Sequence, residues 1–185
     1  YMEANNEGQM PSYWKPVLTG GTIGAVIVSM TSFASGYIML SNEPTGSLFN
    51  ITSIAGVLGC LLGSVAGVYA NRMYAKDNDL TYPIGKGALI GLFSGIALTF
   101  ISSLISILWV YVIDPGYAES SVEWQKVNID MMQVPAEQKE LMMGGIENPY
   151  SMKNILLGLG IGSVVFGIVN AISGIIGAKL FASED

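Results

Sequence analysis

The chain has 185 residues, 51% of them hydrophobic and 12% charged, with 8 basic and 14 acidic side chains, no histidine and one cysteine. An ordinary soluble domain is charged at about a quarter of its positions, so a mean hydropathy of +0.50 argues against that class. A net charge of −6 argues against nucleic acid, whose phosphates require clustered cations.

The lone Cys60 cannot form an intrachain disulfide and reads as a small apolar packing residue. Without histidine the chain lacks the usual haem ligand, the commonest zinc ligand and the near-neutral proton shuttle. Neither a Cys-x-x-Cys pair, a phosphate loop nor a nucleophile elbow occurs. No cofactor, metal or catalytic residue is therefore expected.

Charge is also segregated. Residues 16–40, 48–71, 87–113 and 154–178 contain no Asp, Glu, Lys or Arg. Each run exceeds the roughly 20 residues that cross a hydrocarbon core as a helix. The expected fold is a single all-α membrane domain over 1–185, with four transmembrane helices and one long extramembrane loop over 114–153.

In chain order, the first fifteen residues hold Glu3 and Glu7 but only Lys15 as a cation, which is not the basic start of a cleaved signal. The first span is expected to be a retained signal-anchor helix, entered through Trp14, Lys15 and Pro16 as an aromatic and basic anchor. It ends at the breaker-rich Ser41-Asn42-Glu43-Pro44-Thr45-Gly46-Ser47, so short a link that the first two spans must form a hairpin. Just after that link Asn50-Ile51-Thr52 matches a glycosylation acceptor, a chance match at a membrane boundary. The second span closes at Asn71-Arg72. Residues 73–86, with Tyr74 and Lys76, read as an interfacial loop, in which Asp77-Asn78-Asp79 is a turn and not a calcium loop. Trp109 and Tyr111 anchor the far end of the third span.

The long loop follows. Trp124, Val127, Met131 and Val134 recur at helical spacing until Pro135 interrupts them. Residues 136–143 can form a second short helix stopped by Gly144-Gly145. This predicts an amphipathic cap at the membrane surface, with Trp124 as a further anchor. The last span follows Asn148-Pro149-Tyr150, and Glu184-Asp185 form an acidic tail.

Lys15, Arg72, Lys76, Lys86 and Lys179 cluster at one set of helix ends, whereas Lys126, Lys139 and Lys153 lie in the long loop. The positive-inside rule then puts both termini in the cytoplasm and the acidic loop outside.

Inside the spans, glycine recurs at every fourth position. Gly20 and Gly24 mark the first span; Gly59, Gly63 and Gly67, extended back by Ala55, mark the second; Gly87, Gly91 and Gly95 mark the third; Gly158 and Gly162 mark the fourth. Helices in lipid gain little from hydrophobic burial and associate through close backbone approach, which such ridges permit. The ridges serve packing within the chain or against a partner subunit. Ser94, Ser102, Ser103 and Ser106 can bond back to a carbonyl one turn earlier. Asn170, costly in hydrocarbon, needs an interhelical partner, a transport ligand being the sharper alternative. The paired methionines Met131-Met132 and Met142-Met143 read as interfacial packing residues.

Tyr82-Pro83-Ile84-Gly85-Lys86-Gly87, Tyr111-Val112-Ile113-Asp114-Pro115-Gly116-Tyr117 and Asn148-Pro149-Tyr150-Ser151 together resemble domain-of-unknown-function family 4199, found mainly in bacteria of the Bacteroidota group. The resemblance implies a four-helix inner-membrane protein with a long acidic loop before its last helix. It implies no catalytic residues. The expected function is a non-catalytic membrane subunit or scaffold, in contact with lipids and with other integral subunits or further copies of itself. A small oligomeric transporter with a Ser/Thr/Asn path is the alternative. An enzyme using loop carboxylates such as Asp114 and Glu119 ranks last.

Overall fold

In a computed structural model the chain is described over residues 11–79, 81–146 and 151–181. Glu3, Glu7, Glu147, Asn148-Pro149-Tyr150 and Glu184-Asp185 therefore lie outside the described residues. The described residues are helical throughout, with no strand among them: α1 (Trp14–Leu40), α2 (Ile51–Gly63), α3 (Val65–Asn78), α4 (Ile84–Leu108) running into a π-helical turn (Trp109–Ile113), α5 (Pro115–Met131), α6 (Ala136–Ile146) and α7 (Met152–Phe181). Four helical stretches of 27, 28, 30 and 30 residues are long and apolar enough to span a membrane. The second is α2 and α3 together.

Several boundaries differ from the sequence expectation. The second span starts at Ile51, because the Asn50 side chain accepts from Thr52 N–H and Ser53 N–H and fixes the first turn there. It runs on to Asn78, so most of the expected interfacial loop is helix. Asp79, in the left-handed region at φ 48°, ends it. The third span starts earlier than expected, at Ile84, directly after an extended Pro83. In the cap, Gly144 and Gly145 do not stop α6, which continues to Ile146.

The second span breaks at Ser64, where a Gly63-Ser64 pair interrupts the ladder. Ser64 turns its hydroxyl onto the Leu61 carbonyl at 2.6 Å and offers no side-chain cap to α3. The first-turn N–H groups of α3 then lack an intrahelical acceptor.

The bundle is inverted with respect to a soluble one. Its fully buried side chains include Asn71, Asn170 and Ser94, all 0% exposed, whereas Leu61 and Ile161 are 63% and 65% exposed. Most large aliphatic side chains coat the outside, while small and polar residues share the inside with Tyr74, Ile90, Leu98 and Val17, a distribution a lipid solvent permits. Helix α4 lies antiparallel along α7, α3 packs beside both, and α1 crosses α3 and α4. Helix α2 rests mainly on α1 and barely meets α7.

Candidate functional site: glycine seams, an asparagine lock and a clamped cap

The α4–α7 seam is built in a constant antiparallel register. A Cβ added at Gly87 would meet Ala178 and the Gly174 carbonyl; one at Gly91 would strike the Asn170 carbonyl, and one at Gly95 the Phe166 carbonyl. Gly162 answers from α7, its added Cβ lying 2.8 Å from the Thr99 methyl. Four residues forward on α4 thus match four residues back on α7, and glycine is needed because backbone faces backbone. Gly63 and Gly67 do the same for the second span, against Phe166 and against Ser173 and Asn170. Gly20 and Gly24 seat α1 on Ala66 of α3, and Gly24 also meets Leu98 of α4.

Two of the predicted ridge residues have no close neighbour on another helix, although Gly59 is buried and only Gly158 is exposed. A Cβ at Gly59 or Gly158 would meet nothing within 4 Å. The reason is divergence of the helices: α2 leaves α7 beyond Gly63, and the α4–α7 seam ends at Gly162. Gly174 and Gly177 do the complementary work nearer the chain ends, Gly177 lying against Asn71 and Val68.

Asn170 stands where α3, α4 and α7 meet. Its Oδ1 accepts from the Gly67 N–H at 2.7 Å and its Nδ2 donates to the Phe166 carbonyl at 3.0 Å. Gly67 is the third residue of α3, so a side chain from α7 caps a helix start left open by the break at Ser64. A second asparagine completes the lock. Asn71 Nδ2 donates to the carbonyls of Gly67 at 2.8 Å and Gly87 at 3.1 Å, while its Oδ1 accepts from the Tyr82 hydroxyl at 2.9 Å. Burial pushes the Tyr82 hydroxyl up to about 12, with like-charge repulsion from the neighbouring Tyr74 hydroxyl adding to the effect. It therefore stays a donor across the physiological range.

Tyr74 is a correction. Expected at the membrane interface, it is 0% exposed, because continuation of the helix past Asn71 turns it inward. Its hydroxyl donates to the Pro11 carbonyl at 3.1 Å, its ring lies 5.1 Å from that of Tyr82, and the Lys86 ammonium sits 5.3 Å above it. The other expected anchors are placed as follows. Trp14 is exposed beside Phe93 at 5.4 Å, and Lys15 pairs with Asp77 at 3.6 Å. Arg72 lies 5.8 Å from the Phe181 ring, and Tyr111 is exposed. Trp109 instead turns inward, stacked on Phe33 at 4.4 Å and donating to the Tyr37 hydroxyl at 3.1 Å.

At the opposite end of the bundle α5 is fastened to the α1–α2 turn. Asn128 Oδ1 accepts from the N–H groups of Thr45 at 3.2 Å and Gly46 at 2.9 Å, and its Nδ2 donates to the Ser47 carbonyl at 3.2 Å. Trp124 donates to the Asn42 carbonyl at 2.7 Å and so clamps the cap to the α1–α2 turn. Gly46, at φ 70°, lies against the Met131 carbonyl, where a Cβ would come within 2.7 Å. Tyr37 donates to the Asp114 carboxylate at 2.5 Å, tying α1 to the residue that starts the cap. The buried face of α5 is Asn128 and Ile129, whereas Val127 and Met131 of its apolar stripe are exposed. Four backbone groups of the turn find partners on α5, three on the Asn128 amide and one on the Trp124 indole. A polar cavity of about 340 Å³ remains between α1, α2 and α5.

Among the described residues no three carboxylate or thiol side chains converge where a metal ion could sit. The chemistry on view is structural: amides that satisfy backbone groups of neighbouring helices, and glycines that let carbonyls touch.

These features define a multi-pass membrane protein held together by close backbone contact and buried amides. The chain belongs to the family described as Protein of unknown function (DUF4199), whose profile matches residues 19–180. No curated protein and no solved structure matches it.

Sequence reasoning passed over Asn71, Tyr82 and Asn128. Each had a signal: Asn71 ends an uncharged run, Tyr82 opens the Tyr-Pro motif before α4, and Asn128 falls among charged residues on a helix otherwise read by its apolar positions.

Proposed function

We propose that this protein is a non-catalytic integral membrane subunit that seats a helix of another membrane protein, or of a second copy, where its glycine stripes run past their own seams. The observation that supports this is the contrast among span glycines. Those from Gly63 to Gly67, Gly87 to Gly95 and Gly162 are filled by neighbouring helices, while Gly56 on α2 and Gly158 on α7 are exposed with open space beside them. In lipid, an open small-residue face is where another helix can approach closely. Asn71 and Asn170 spend their amide groups on backbone partners, which favours this reading over a polar transport path. It requires no cofactor and no nucleic acid.

The positive-inside distribution supports placing the Lys15, Arg72, Lys86 and Lys179 end in the cytoplasm and the α5–α6 cap outside, in a bacterial inner membrane. Purification in mild detergent tests the subunit reading. Recovery with a second membrane chain or as a defined oligomer supports it, and a monodisperse monomer with no companion overturns it.

A further inference from the structure

At the end of the bundle away from the cap, a groove of about 450 Å³ opens between the last turns of α3 and the end of α7. Arg72 and Lys76, one turn apart on α3, line it together with Thr81 and Phe181. The Arg72 guanidinium is held 5.8 Å from the Phe181 ring, which fixes it at the groove mouth by a cation–π contact. Neither cation lies within ion-pair distance of a described carboxylate: Asp77 is engaged by Lys15 at 3.6 Å, and Asp79, the one acidic residue lining the groove, pairs with neither. Two cations face one carboxylate, so the groove carries an uncompensated positive charge.

Val65, Tyr69, Arg72 and Lys76 follow one another at helical spacing on a single face of α3, and Val65 and Tyr69 are exposed. The face is thus apolar along the span and cationic at its edge. That is the pattern of an acyl chain ending in a phosphate. An arginine fork can hold phosphate oxygens in a bidentate manner while a lysine adds a point charge.

We propose that this groove binds the phosphoryl headgroup of an anionic phospholipid, with Arg72 and Lys76 on the phosphate and the chains laid along Val65 and Tyr69. This site is independent of the partner-helix proposal, being at the other end of the bundle and on other residues.

Native mass spectrometry of the detergent-solubilised full chain, titrated with phosphatidylglycerol, tests it. The wild-type protein should retain one lipid that resists delipidation. The R72Q/K76Q variant should bind it about 30-fold more weakly, at about fivefold per cation removed. A charge-matched control at the cap, K126Q/K139Q, should bind as the wild type does. Equal binding by R72Q/K76Q, or equal loss in both variants, would overturn the proposal. Both substituted side chains are exposed, and an unchanged melting curve checks that R72Q/K76Q is folded. Inorganic phosphate separates the two sources of the anion: failure to displace the lipid at millimolar concentration supports a lipid site, and ready displacement overturns it in favour of a soluble phosphate. Glu184 and Asp185 follow Phe181 closely in sequence. The same ratio in an E184Q/D185N background is expected, and its disappearance would show the tail to be the occupant and overturn the lipid assignment.

Discussion

Asn170 on α7 accepts a 2.7 Å hydrogen bond from the backbone N–H of Gly67 on α3, so the start of one helix is capped by the side chain of another. The break at Ser64 makes this possible, because a continuous second span would hold the Gly67 N–H inside its own ladder. The close approach also explains the glycine: a Cβ at Gly67 would lie 2.5 Å from the Asn170 carbonyl. Amide and glycine depend on one another, and with Asn71 they fix where α3, α4 and α7 meet.

Asn170→Ala removes that acceptor and leaves the Gly67 N–H unpaired in a lipid-solvated bundle. Interhelical hydrogen bonds in membranes contribute about 1–2 kcal/mol. Unfolding in mixed micelles should show a loss of that size, and a variant as stable as the wild type would mean the bond is not supporting the fold.

Gly95→Ala should cost more, roughly 2 kcal/mol, since the added methyl collides with a carbonyl that cannot rotate away. Gly158→Ala adds the same methyl into open space and should leave the melting temperature of the isolated protein unchanged. Comparable destabilisation by both would show that the α4–α7 seam is placed wrongly.

The cap has its own lock. Asn128→Ala strands the N–H groups of Thr45 and Gly46 and the Ser47 carbonyl, so residues 41–50 should lose amide-exchange protection while the spans keep theirs. Unpartnered groups of this kind cost about 1–3 kcal/mol when buried. Unaltered exchange in the turn would argue against the clamp.

Tyr82 supplies a pH signature. Its folded value of about 12 stands above the ordinary tyrosine value near 10. The neutral hydroxyl therefore contributes stability that is complete below about pH 10 and is lost as pH rises through about 12. The wild-type melting temperature should fall over that interval more steeply than that of Tyr82→Phe, which lacks the titrating group. Parallel pH profiles would contradict the assignment of this hydroxyl to the buried lock.

Four spans were legible in the sequence because each uncharged run has to satisfy its backbone internally once it lies in hydrocarbon. The α4 ridge of Gly87, Gly91 and Gly95 was legible for a related reason, since an every-fourth-residue glycine pattern has one geometric use. Other features depend on what lies opposite. Gly59 and Gly63 look alike along the chain and both are buried, and only the divergence of α2 from α7 leaves no side chain of another helix at the first while Phe166 fills the second. Asn170 falls on the same fourfold repeat as Gly158 and Gly162, but its acceptor role required a helix break at Ser64 that no proline marks. The cap was read from its apolar spacing, whereas its docking face is decided by hydrogen-bond needs in a turn 80 residues away. Tyr74 was misplaced because the second span was ended at the last uncharged residue, and helices continue through charged residues at a membrane surface.

The central claim is that the open ends of the glycine stripes receive a helix from another chain. Site-specific photo-crosslinking in native membranes tests it most directly, with the reactive residue placed in turn at positions 56, 158 and 104. Leu104 is exposed on the outer surface of α4 and serves as the lipid-facing control. The account predicts discrete adducts with a second polypeptide from positions 56 and 158 and none from 104. Lipid adducts alone at all three positions would contradict it.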